Sequence, residues 1–187
     1  GNEGLFAMLE REMRRLSEAF TGNPIVLAPL GWEDVREVLE RRRRHFAVHP
    51  ETPLPLSEKI AAMVHEAGGG ELRFTLARLG RTAVDFAIRF PSERQVPDPA
   101  AVLLLREWAE RTLGRDAPLA ATEARVAELL AERGLLRARD FAQAGLNSSQ
   151  RLSAVLGQLE RKGWAVRQPA GYRLSGAAQL LLFSVSS

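Results

Sequence analysis

The sequence predicts a mainly α protein in two parts, a helical bundle over residues 1–114 and a smaller domain of three helices and a β-hairpin over 115–187. Apolar residues recur at spacings of three and four through most of the chain, which is the period of a half-buried helix. Clusters of proline and glycine cut that pattern into single-helix lengths. Only near the C-terminus do two short extended runs flank a proline–glycine turn. With 187 residues, 45% of them hydrophobic, the chain can bury a core in one large or two small domains.

Taken in order, Leu5, Leu9, Met13, Leu16 and Phe20 predict an amphipathic helix from about residue 4 to 20. Thr21-Gly22-Asn23-Pro24 ends it, and Ile25-Val26-Leu27 suits a strand whose partner sheet is expected outside this polypeptide. A second helix is expected over Trp32–Phe46. Its basic end, Arg41 to Arg44, could meet phosphate, but arginines in a last turn also complement the helix dipole, and the second reading is preferred. Ser57 can cap a helix whose Ile60, Met63 and Val64 face inward.

Gly68-Gly69-Gly70 then leads directly into a helix with Arg73 in its first turn and Leu72, Leu76, Leu79, Ala83 and Phe86 as its buried stripe. A guanidinium there, beside free backbone N–H groups, could bind a phosphate bidentately. The competing reading pairs Arg73 with Glu66 or Glu71 on the surface. The stretch from Phe90 to Pro99 holds three prolines and reads as a linker. A helix over Ala100–Leu113 follows, with Val102, Leu105, Trp108 and Ala109 inward, and the domain boundary is placed after it, at Gly114 to Pro118.

In the second part, Thr122 is expected to cap a helix with Val126, Leu129 and Leu130 inward, ended by Gly134. A short helix over Arg137–Ala144 is ended by Gly145. Asn147 and Gln150 form a capping-box pattern for a third helix whose Leu152, Val155, Leu156 and Leu159 face inward. That leaves Ser149, Gln150, Arg151, Ala154, Gln158 and Arg161 on the other side. Trp164–Arg167 and Tyr172–Ser175 form the hairpin, and the apolar tail from Ala177 to Phe183 is expected to pack back as a helix or strand.

The net charge is +3. From Ala117 onward nine basic residues stand against five acidic ones, while the preceding part is nearly neutral, which suggests an acidic polymer as partner for the second part. The chain has no cysteine and three histidines, His45, His49 and His65, without a ligand set, so no metal is expected. Neither a membrane-length apolar run nor a leader is visible, and a cytoplasmic protein with no membrane partner is expected.

Three helices followed by a hairpin, with a small polar turn between the second and third helices, resemble winged-helix DNA-binding domains. Ile25-Val26-Leu27-Ala28-Pro29-Leu30-Gly31-Trp32-Glu33-Asp34-Val35 and Gly70-Glu71-Leu72-Arg73 resemble, respectively, the entry to the lid and the sensor-two segment of AAA+ ATPases of the origin-recognition type, or of STAND-like relatives. The resemblance implies a lid-like helical bundle followed by a winged helix-turn-helix domain. It gives Arg73 the role of sensing a nucleotide bound mainly by another domain, and it leaves Arg14 or Arg15 as a loose match to an arginine finger.

No G-x-x-x-x-G-K-[ST] occurs, so no ATP hydrolysis is expected from this chain alone. It binds no cofactor by itself under this reading, and ATP or ADP enters only with an ATPase domain, from which the chain is expected to be a fragment or a relative that has lost it. The winged helix would place Ser149, Gln150 and Arg151 near base edges, with Ala154 and Gln158 on the same exposed side. Arg161, Arg167 and Arg173 would meet phosphates, and Tyr172 would pack on sugar. Double-stranded DNA is the expected partner, together with an ATPase domain or other protein. The alternatives are a stand-alone winged-helix transcription regulator and a protein-interaction module without DNA binding.

Overall fold

The computed structural model describes residues 29–47, 49, 52–114 and 118–183. The expected helix over 4–20, the run Ile25-Val26-Leu27, and Arg14 and Arg15 lie outside the described residues. Within them the chain is mainly helical, with a small antiparallel sheet. Four helices come first: α1 (Trp32–Phe46), α2 (Glu58–Ala67), α3 (Leu72–Arg89) and α4 (Asp98–Leu113). They are followed by α5 (Ala121–Arg133), a 3-10 turn (Ala138–Asp140), α6 (Ser149–Arg161), strands β1 (Ala165–Gln168) and β2 (Gly171–Leu174), and α7 (Gly176–Phe183).

The boundaries follow local chemistry. Ser57 Oγ accepts from the Ile60 N–H at 3.2 Å and starts α2. Pro99 sits in the first turn of α4, where its missing N–H costs nothing. The α5 helix begins one residue before Thr122: Ala120 holds the cap position, and Glu123 Oε2 accepts from its N–H at 2.8 Å. The cap of α6 is Ser148 rather than Asn147, with Ser148 Oγ accepting from the Arg151 N–H at 3.2 Å.

The short helix expected over Arg137–Ala144 is instead a single 3-10 turn followed by turns. Asp140 Oδ2 accepts from the Arg137 N–H at 2.7 Å, and the segment closes at Gly145 with φ +67°. Too few backbone bonds can form between two such stops for an α-helix to propagate. In the hairpin Ala165 pairs with Leu174 and Gln168 with Gly171, so the turn is Pro169-Ala170. Leu136 and Tyr172 exchange backbone bonds of 2.9 and 2.8 Å, adding a one-residue third rung.

Two cores form. Leu56, Ile60, Val64, Leu79, Phe86 and Leu104 lie in the first; Val126, Leu130, Leu152, Leu156, Leu159 and Leu174 lie in the second. Helix α4 serves both, its Leu105 in the first and its Leu113 in the second. The apolar tail is helical and does the same: Ala178 is buried in the second core and Leu180 in the first. Helix α3 buries Thr75, Arg78, Leu79, Thr82 and Phe86, so the buried seam is rotated from the expected stripe, and Leu72, Leu76 and Ala83 are only half-buried.

The rotation has a cause in the loop before α3. A Cβ on Gly68 would stand 2.5 Å from Phe74 Cδ1, and one on Gly176 would stand 2.5 Å from Phe74 Cζ. The Phe74 ring is therefore wedged between the glycine loop and the first residue of α7, with the Trp108 ring centroid 6.0 Å away. Inside a helix alanine is favoured over glycine by roughly 0.5–1 kcal/mol. Gly176→Ala is nevertheless expected to lower Tm by about 2–6 °C, because the trapped ring cannot yield. Thermal unfolding in the Phe74→Ala background should erase that penalty; a Tm raised by Gly176→Ala in the parent would contradict the wedge.

Candidate nucleic-acid interface and the glycine loop

The charged face of α6 is organised by its buried stripe. With Leu152, Val155, Leu156 and Leu159 in the core, Ser149, Gln150, Arg151, Ala154, Gln158 and Arg161 are all exposed. At about 100° per residue the centre of the outward face is Gln150, Ala154, Gly157 and Arg161. No carboxylate lies at that centre; Glu160 falls toward its margin. Ala154 and Gly157 keep the face low enough for close backbone approach.

Arg167 is exposed on β1, directly across from Tyr172, whose ring is half-buried against the second core. Arg137, Arg167 and Tyr172 line one cleft beside the hairpin turn, and the Arg137 Nε–H donates to Ala170 O at 2.8 Å. Arg125, Asn147 and Arg151 line another, at the N-terminal ends of α5 and α6. Arg125 and Arg137 are basic groups that the sequence pattern did not single out. Arg137 is brought to the hairpin beside the Leu136 rung, and Arg125 lies against Gly145, contacts between residues far apart in sequence.

Arg173 goes elsewhere. Its Nη2–H donates to Gly68 O at 3.2 Å, and its guanidinium lies over Gly69, where a Cβ would collide with it. Gly69 has φ +64°, a region open to glycine. Arg173 Nε is buried without a hydrogen-bond partner among the described residues. The hairpin thus uses this arginine to dock on the glycine loop rather than to extend the exposed basic face.

The loop itself is closed to a ligand on its own N–H groups. Those of Gly68, Gly69 and Gly70 donate to Val64, Glu66 and His65 carbonyls at 3.0, 2.8 and 3.1 Å, terminating α2. Pro29 covers Gly70, where a Cβ would lie 2.6 Å from the proline Cβ. What remains open is the start of α3, which no side chain caps, and Arg73, which is exposed and forms no ion pair with Glu66 or Glu71. His65 supports the loop from below: Nε2 donates to Leu30 O at 2.9 Å, and Nδ1 lies 3.0 Å from Thr75 Oγ1.

The basic run at the end of α1 is mostly neutralised on its own helix. Arg41 pairs with Glu37 at 2.6 Å, and Arg43 and Arg44 pair with Glu40 at 2.6 and 3.1 Å. The Arg43 hydrogen bond in particular holds the Glu40 carboxyl down at about 2. Arg42 lies over the Phe46 ring at 5.4 Å. Among the described residues no group of three or more His, Cys, Asp or Glu is placed to hold a metal ion, and no helix is long and apolar enough to cross a membrane. Comparison with protein-family models, curated proteins and solved structures finds no match to this chain.

Lys162, next after α6, is committed to the fold. Its Nζ donates to Glu123 Oε2 at 2.6 Å, and Glu123 is only 4% exposed. The Lys162 hydrogen bond, then the Ala120 N–H, hold the Glu123 carboxyl below its ordinary value of 4.5. The pair's contribution is therefore complete above about pH 4.5 and is lost as pH falls through the lower folded value. Glu123→Gln should lower Tm by about 2–4 °C at pH 7, and the deficit should shrink as both proteins are taken toward pH 3. A deficit that is the same at both pH values would show that the charge on Glu123 contributes nothing.

Proposed function

We propose that the chain is a non-enzymatic nucleic-acid-binding protein whose α5–turn–α6–hairpin unit acts as a winged helix-turn-helix on double-stranded DNA. The observation that carries this reading is the outward face of α6, whose centre carries Arg161 and no carboxylate, with Arg151 and Glu160 at its two margins, together with the exposed Arg167 of the hairpin. In this reading Ser149, Gln150 and Arg151 approach base edges in a major groove, and Ala154 and Gln158 pack along it. Arg161 and Arg167 take phosphates, joined by Arg125 and Arg137, and Tyr172 steadies the hairpin.

Helices α1 to α4 are the lid-like part of this proposal. Arg73, exposed beside an uncapped helix start, would sense a phosphate of ATP or ADP held by an ATPase domain on another polypeptide or polypeptide segment. The docking of Arg173 on Gly68 supplies a physical link between that loop and the hairpin. The reading is tested with a fluorescently labelled random duplex and the full chain. Binding should weaken with salt, and Arg151→Ala/Arg161→Ala should reduce affinity at least tenfold at about 0.1 M salt while leaving Tm within about 2 °C. No anisotropy change at low salt, or equal affinity of the variant, would sink the DNA assignment and favour a protein-docking role for the same face.

A further inference from the structure

Helices α3 and α4 enclose a second basic feature, away from both sites above. A cleft of about 300 Å³ is lined by Arg81, Asp85, Ile88, Arg89, Trp108 and Arg111. Arg78 is not one of the lining residues but stacks on Trp108, which is: it is only 9% exposed, with its guanidinium carbon 4.0 Å from the Trp108 ring centroid. Arg78 Nε and Nη1 are buried and have no hydrogen-bond partner among the described residues. The aromatic face compensates part of the charge but none of those N–H groups.

The neighbours do not supply the missing anion. Asp85 faces Arg81 at 3.4 Å, and Glu107 takes Arg89 through two contacts of 2.7 and 3.3 Å. Arg111 makes no ion pair among the described residues. Four arginines against two carboxylates leave two positive charges around one small cleft. Burial lowers the Arg78 pKa; Asp85 works against that shift, while Arg81 and Arg111 add to it. An apolar side chain in place of Arg78 would fill this position without a buried, unpaired charge.

We propose that the α3–α4 cleft is a binding site for a phosphate group, held by Arg111 and Arg81, with the charge of Arg78 stacked on the lining Trp108 close by. A phosphate at neutral pH carries close to two negative charges and accepts bidentate guanidinium bonds, which matches the excess charge and the residue type. The site is separate from Arg73: Arg78 lies five residues further along α3, a rise of about 7.5 Å, and faces inward where Arg73 faces out. It does not depend on the DNA reading, which uses α6 and the hairpin.

The test titrates the full chain with inorganic phosphate and, separately, with ATP, at ionic strength held constant with sodium chloride. Tryptophan fluorescence and Tm are followed together. At least one of the two ligands should give a saturable fluorescence change and a raised Tm, weakened at least tenfold by Arg111→Gln and left within twofold by Arg94→Ala, a change at an exposed linker arginine. Trp108→Phe should remove most of the fluorescence response while the Tm shift persists. Saturation by phosphate identifies the free ion as sufficient, and saturation by ATP alone identifies a nucleotide's phosphates as the source; both support the site. A response no larger than that of chloride, or one that survives Arg111→Gln, or one lost equally in Arg94→Ala, would overturn it.

Discussion

The arrangement depends on one steric constraint, the lack of side chains along Gly68-Gly69-Gly70 and at Gly176. Phe74 lies on Gly68 and against Gly176, Arg173 lies on Gly69, and Pro29 lies on Gly70. Three parts of the chain that are distant in sequence meet at this loop: the segment entering α1, the start of α3, and the hairpin with the helix that follows it. Burial of Leu180 and partial burial of the Phe74 ring contribute to the energy, a fully buried large side chain being worth roughly 1.5–3 kcal/mol and a half-buried one less. The glycines make that packing possible and add little themselves. Because α4 and α7 each place residues in both cores, the meeting point at the loop is reinforced by packing on either side of it.

Pairing and burial divide the arginines by role, and the loop accounts for one of them, Arg173. Arg173 and Arg78 are drawn into the interior, where one meets a backbone carbonyl and the other an aromatic face. Arg41, Arg43 and Arg44 are held by glutamates one turn away. Arg125, Arg137, Arg151, Arg161 and Arg167 remain on the exposed side of the C-terminal unit. Charge counts alone would treat all of these as one basic population. Their partners separate structural cations from those available to a polyanion, and the difference is one of desolvation and pairing rather than of residue type.

Much of the helical layout is legible in the sequence because it rests on local signals. The spans of α1, α3 and α6 follow from apolar period, and their ends follow from Gly163, with φ +76°, and from Pro91 and Pro97 in the linker. Caps are legible to within one or two residues: Ser57 caps α2 as its sequence suggests, Ser148 replaces Asn147 because the two are capping residues of similar strength, and α5 starts after Ala120 rather than at Thr122 because Glu123 accepts the Ala120 N–H. The 137–144 segment has helix-compatible composition, and its 3-10 geometry comes from Asp140 and from the Leu136 rung to β2, a tertiary pairing. The rotated face of α3 is hidden for the same reason. Thr75, Arg78 and Thr82 look polar in sequence, and their burial is set by His65, Trp108 and the wedge at Phe74. Among the expected interface residues, the exposed face of α6 follows directly from its buried stripe, whereas the diversion of Arg173 requires knowing that the hairpin returns to the glycine loop.

The proposed DNA reading requires the exposed face of α6 and the hairpin to bind a polyanion while Arg173 stays on the glycine loop. The slope of log affinity against log salt measures it most directly, because removing one phosphate-neutralising side chain reduces that slope by about one. With the parent, Arg167→Ala and Arg173→Ala compared on one duplex, the account predicts a slope reduced by about one for Arg167→Ala and unchanged for Arg173→Ala, which should instead lower Tm. A slope reduced by Arg173→Ala and unchanged by Arg167→Ala would contradict it, placing the docked arginine on the nucleic acid and the exposed one off it.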